Sequence, residues 1–156
     1  MTAAPTGPQA AALIAGLDPG RSKCGLVLAD LTRQRVLQAA ILPPASCLDL
    51  LRCWQQQGLG RIVLGNGTVS RDWRPVLAGL QLELALVDER GSTLAARDRY
   101  WDLFPPGLWL RLLPAGLRLP PRDIDDVVAQ LLLERHAQLQ LQRESAEVLR
   151  NWQESD

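Results

Sequence analysis

At 156 residues, with 47% hydrophobic and 22% charged side chains, the chain is long enough for one domain with a genuine core and has a globular composition. Seventeen basic and seventeen acidic residues cancel to a formal charge of +0, so no bulk positive charge marks it as a nucleic-acid binder. No apolar run reaches the roughly 18 residues of a membrane span, and Cys24, Cys47 and Cys53, with no C-x-x-C pair, argue against a disulfide framework or a structural zinc.

Residues 1–11 are small, apolar and interrupted by Pro5 and Pro8, without the basic start of a signal peptide. They read as a disordered leader and, with the reduced thiols, point to the cytoplasm. A domain is expected over residues 12–142, followed by a helical tail over 143–156. The run Ala12 to Asp18 reads as a strand ending at Pro19-Gly20, and Cys24 to Ala29 and Arg35 to Leu42 as two more. Their short connections suggest an antiparallel meander.

After Pro43-Pro44, Ser46 is expected to cap a helix carrying Leu48, Leu51 and Trp54 and ending at Gly58. Arg61 to Leu64 is a fourth strand ending in Gly65-Asn66-Gly67. A helix from about Ser70 to Gly79 follows, with Trp73, Val76, Leu77 and Leu80 on one side. Leu82 to Val87 is a fifth strand, closed by Asp88-Glu89, and Ser92 opens a third helix through Tyr100. A Pro/Gly/Leu-rich connection, Phe104 to Pro121, leads to a last helix from Asp123 into the 140s. The order β-β-β-α-β-α-β-α-α implies an α/β fold with a mixed five-stranded sheet and helices on both faces.

In open α/β sheets, sites gather at the carboxyl ends of parallel strands. Asp18 closes the first strand, Asp88-Glu89 the fifth, and Asp123, Asp125 and Asp126 open the last helix. Converging carboxylates without soft ligands suit a hard cation, Mg²⁺ or Mn²⁺. Each acid alone has a plain structural role as a turn, strand-end or helix-start residue; only their joint placement suggests a site. Along the last helix, Ile124, Val127, Val128, Leu131 and Leu132 form the expected buried stripe. Asp126 then points almost directly away, whereas Asp125 lies roughly 80° from the stripe's centre and is best placed to reach the sheet edge.

Gly16-Leu-Asp-Pro-Gly-Arg-Ser-Lys-Cys-Gly25 resembles the opening of the YqgF/RuvX family of the RNase H-like superfamily, whose members include Holliday-junction resolvases and rRNA-precursor nucleases. Val87-Asp-Glu-Arg-Gly-Ser-Thr93 is similar to that family's D-E-R-x-(T/S)-T segment, and Asp125 to Leu133 to its last helix. Gly65-Asn-Gly-Thr-Val-Ser-Arg71 departs from the family's G-L-P segment and looks more like the matching stretch in the YqgF-like domain of the transcription accessory protein Tex. The resemblance covers roughly residues 12 to 136. It implies an RNase H-like (ribonuclease H-like) fold, with Asp18, Glu89 and Asp125 as catalytic metal ligands, although the two acids three positions apart on the last helix of RuvC match Asp123 and Asp126 instead. The implied activity is a metal-dependent nuclease acting on junction DNA or rRNA precursor.

Arg21, Lys23, Asn66, Arg71 and Arg90 are the candidate substrate-binding residues, near the same edge. Arg97, Arg99, Arg111, Arg118 and Arg122 form a further basic stretch; of all the basic residues only Lys23 is lysine. Trp54 and Trp73 fall on core stripes. Trp101 and Trp109 flank an apolar cluster suited to stacking bases or to a homodimer contact. The alternative from a different class is a non-catalytic nucleic-acid or ribosome-associated binding module, favoured by the neutral charge and the Tex-like loop.

Overall fold

The computed structural model describes residues 13–152. The expected leader lies outside the described residues, as do residues 153–156 of the expected tail. Three apolar runs form the strands β1 (Leu13–Asp18), β2 (Cys24–Asp30) and β3 (Arg35–Leu42). They pair antiparallel as a meander, with Asp18 directly opposite Gly25. The helix α1 (Pro44–Gln56) leads to β4 (Arg61–Gly65), and α2 (Thr68–Ala78) leads to β5 (Glu83–Val87). Each of these strands lies parallel to its neighbour, β4 on β1 and β5 on β4. After them come α3 (Ser92–Leu103), two short 3-10 turns at Leu110–Leu112 and Ala115–Leu117, α4 (Asp125–Ala137) and β6 (Gln142–Arg143).

The sheet order is β5-β4-β1-β2-β3-β6, so the sheet is mixed and has six strands rather than the expected five. The sixth strand replaces part of the expected helical tail: β6 pairs parallel with β3, and Leu149 bridges Ala40. The last helix stops at Ala137 instead of running into the 140s, because Gln138 adopts the left-handed conformation at φ 55°. Pro44 opens α1, two residues ahead of the expected Ser46 cap. Among the described residues no helix is long and apolar enough to cross a membrane.

Side chains alternate between the two faces of a strand, and the buried residues divide accordingly. Ala15, Leu17, Cys24, Leu26, Ile62 and Leu64 pack with Trp54 and Leu51 of α1 and with Trp73 and Leu77 of α2. Ile14, Val27, Ala29 and Val63 face the other way, onto Ala129 and Leu133 of α4. The helix α3 covers α4 through Ala96 and Tyr100 against Val127, Val128 and Leu132. Val76 departs from expectation, standing exposed on the outer side of α2.

Because α4 is covered by the sheet on one side and by α3 and the chain after Gln138 on the other, it is buried almost all round. This overturns the outward placement of Asp126, which is 0% exposed. Its carboxylate accepts from Arg122 Nη1 at 2.7 Å and lies 3.0 Å from Arg143 Nη2. Arg99 forks onto Glu134 at 2.9 and 2.8 Å, and Leu141 N donates to the same carboxylate at 2.7 Å. A buried ionic layer thus fixes the chain's return to the sheet.

Candidate functional site

The parallel strands β1, β4 and β5 end side by side, which brings Asp18, Asn66 and Glu89 to one edge. Asp18 shares the strand face of Ile14 and Gly16, the face that α4 covers. Three glycines set how close the other acids come. Gly25, opposite Asp18, leaves the space filled by the Asp125 backbone; a Cβ there would collide with the Asp125 carbonyl. Gly65 and Gly67 leave the space into which the Glu89 carboxylate folds. Asn66 ties the strand ends together: its N–H donates to Val87 O at 3.0 Å, and its Oδ1 accepts from Glu89 N at 3.3 Å.

Two cavities meet at Asp18. One, of about 570 Å³, is lined by Asp18, Gly67, Val69, Glu89 and Thr93. The other, of about 390 Å³, is lined by Asp18 and Thr93 with Arg97, Leu119, Arg122 and Asp125. The three expected acids therefore line two adjoining cavities, Glu89 the first and Asp125 the second, with Asp18 on the wall common to both.

Burial, reinforced by the negative charges of Asp125 and Glu89, pushes the Asp18 carboxyl up to about 7. No hydrogen bond or ion pair to Asp18 offsets this among the described residues. Asp125 does have a counter-charge, because Lys23 Nζ lies 3.5 Å from its Oδ2 and 2.8 Å from Asp123 Oδ2. That ion pair raises the Lys23 ammonium and lowers Asp123.

The donor set is all hard oxygen, and the crowding of Asp18 by two like charges with no cation between them is what a cation would relieve. By type the residues suit a divalent ion. As their side chains now lie, no three His, Cys, Asp or Glu groups among the described residues form a ready-made shell.

The basic candidates separate. Lys23 reaches the acids, whereas Arg21 borders a different, mainly apolar groove of about 460 Å³ with Leu48 and Trp73. Arg90 is turned outward and forks onto Asp88, and Arg71 is exposed on α2; neither lines the two cavities. The expected basic track is interrupted, because Glu134 neutralises Arg99 and Asp126 neutralises Arg122, whereas Arg118 is pinned by backbone carbonyls and keeps its charge. Arg97 and Arg122 alone of that stretch line the cavity of Asp125. Thr93, which lines both cavities, was not singled out from the sequence, although it stands within the quoted D-E-R-G-S-T segment.

No family model and no curated protein matches the sequence. Among solved structures, one similar chain is T. thermophilus RuvC in complex with a Holliday junction substrate. It is 12% identical, with a TM-score of 0.47, and the match covers 83% of this chain and 98% of that one.

Proposed function

We propose that the chain is an RNase H-like, divalent-metal-dependent nuclease that hydrolyses phosphodiester bonds in structured nucleic acid, either junction DNA in the manner of a resolvase or an rRNA precursor. The observation that carries this reading is the placement of Asp18, Glu89 and Asp125 on two cavities that share a wall at Asp18, whose carboxyl is raised to about 7 by burial first and then by the charges of Asp125 and Glu89. Asp18, Glu89 and Asp125 would hold Mg²⁺ or Mn²⁺. Such an ion supplies an activated water and neutralises charge on the scissile phosphate. Glu89 and Asp125 approach Asp18 from two sides, and Gly65, Gly67 and Gly25 keep both approaches open. Lys23 neutralises the Asp123 and Asp125 pair and offers an ammonium beside the opening.

The test is cleavage in Mn²⁺ by wild type and Asp18→Asn, purified in parallel and given four-way junction DNA and rRNA-precursor fragments. Cleavage by wild type alone supports the proposal and names the substrate, whereas equal cleavage by both proteins sinks it. A second reading, a non-catalytic nucleic-acid or ribosome-associated module, is favoured by the absence of a ready-made shell among the described residues. Nucleic-acid binding that persists in EDTA, with no cleavage in Mn²⁺, selects it.

A further inference from the structure

Between α3 and α4 the chain makes an excursion that turns the usual arrangement inside out. Trp109 is 85% exposed, and Leu108, Leu112, Leu117 and Leu119 are each exposed by 65% or more. The polar groups turn back onto the segment's own backbone. Arg118 Nε donates to Leu110 O at 2.9 Å and Leu113 O at 3.0 Å, and its Nη2 to Arg111 O at 3.0 Å. Arg111 Nε donates to Pro106 O at 3.1 Å, and Trp101 Nε1 to Arg118 O at 3.1 Å. With the two 3-10 turns, these bonds hold the backbone in one shape while the apolar side chains face water.

The charge on this excursion identifies its partner. No acid occurs from Leu103 to Arg122, and Arg111 and Arg118 contact neutral carbonyls, which leaves both positive charges uncompensated. A second copy docked patch to patch would gather four arginines, Arg111 and Arg118 from each chain, and no acid of this segment in one interface. The apolar surface also runs directly to the carboxylate opening, since Leu119 lines the cavity of Asp18 and Asp125.

We propose that the segment Leu108–Leu119 is a rigid arm on which unpaired bases stack as their strand enters the carboxylate site. Trp109 is the stacking platform, and Arg111 and Arg118 are the attraction for the backbone. The proposal rests on the nuclease reading and deepens it: the substrate carries an unpaired strand next to the cleaved bond.

The test measures affinity for a short fluorescent oligothymidylate in Ca²⁺ buffer, for wild type, Trp109→Ala and Trp109→Phe. Because Trp109 stands in solvent, both variants keep the fold. Trp109→Ala is expected to bind about tenfold more weakly or worse, and Trp109→Phe to recover most of that loss. Equal affinity for wild type and Trp109→Ala overturns the arm while leaving the nuclease reading intact. Failure of wild type to bind any nucleic acid overturns both. Two control outcomes also overturn the arm: Trp109-dependent sedimentation as a dimer, or Trp109-dependent binding to phosphatidylglycerol vesicles, in either case without an effect on the oligonucleotide.

Discussion

The Cβ that Gly25 lacks would fall on the backbone carbonyl of Asp125. Gly25 is also the register partner of Asp18 across the β1–β2 ladder. One small residue thus lets the first turn of α4 settle on the sheet and brings Asp125 beside Asp18. Gly25→Ala is expected to push α4 away, to destabilise the protein by about 1–3 kcal/mol or more, and to separate the two acids. Urea denaturation measures the first effect. Loss of Mn²⁺ affinity out of proportion to the loss of stability measures the second.

Asp18 couples stability to pH with a definite sign. Its carboxyl is raised from 3.8 to about 7 in the folded chain, chiefly by burial and then by Asp125 and Glu89. Between those values the unfolded chain has lost the proton and the folded chain keeps it. The contribution of this group is therefore fully present below about pH 4 and is lost as pH rises through about 7, a loss on the order of 3–4 kcal/mol. Asp18→Asn removes that dependence. In EDTA the variant is expected to melt above wild type at pH 8 and close to it at pH 4. A thermal-melt series of the two proteins across pH decides this; parallel curves would refute the raised carboxyl.

The same proton links pH to metal. A protonated Asp18 must release its proton before it can hold a cation, so Mn²⁺ affinity of the wild type should rise as pH increases through about 7 and then level off. Titration calorimetry at several pH values reads this directly. An affinity flat from pH 6 to pH 8 would remove Asp18 from the ligand set.

Asp125 and Asp126 are neighbours with separate work. Asp125 borders the opening and is partly exposed, whereas Asp126 is buried between Arg122 and Arg143. Burial presses Arg143 below the ordinary guanidinium value against the pull of Asp126, with Arg122 adding to the pressure. Asp126→Asn leaves the buried Arg143 and the partly buried Arg122 without their carboxylate and is expected to cost about 3–5 kcal/mol. Asp125→Asn is expected to leave stability within about 1 kcal/mol while abolishing cleavage and weakening Mn²⁺ binding. Chemical denaturation and the Mn²⁺ assay on both variants separate the roles, and a reversal of the pattern would make Asp126 the ligand.

Glu89→Gln keeps the shape of the side chain folded against Gly65 and Gly67 and removes its charge. Cleavage should fall by at least a hundredfold, a loss of roughly 2.7 kcal/mol in the barrier. The melting temperature at neutral pH should rise slightly as Asp18 loses one repelling neighbour. A variant that cleaves at the wild-type rate would leave Glu89 as a strand-end residue only.

Local pattern in the sequence determined the antiparallel meander, the two βα units and the ends of β1 and β5, because apolar runs, turn residues and helical spacing act over a few residues each. It likewise placed Asp18, the Asp88-Glu89 pair and Asp125 at the ends of elements, and the family resemblance then chose Glu89 over Asp88. What encloses an element was decided only by tertiary packing. The stripe on α4 pointed to one buried side, but the cover given by α3 and the returning chain buries Asp126 as well. The basic stretch from Arg97 to Arg122 looked uniform in sequence, yet distant partners such as Glu134 neutralise some of its members and leave others free. The sixth strand exists only because Gln142 and Arg143 meet β3, a pairing across more than a hundred residues that no local periodicity encodes.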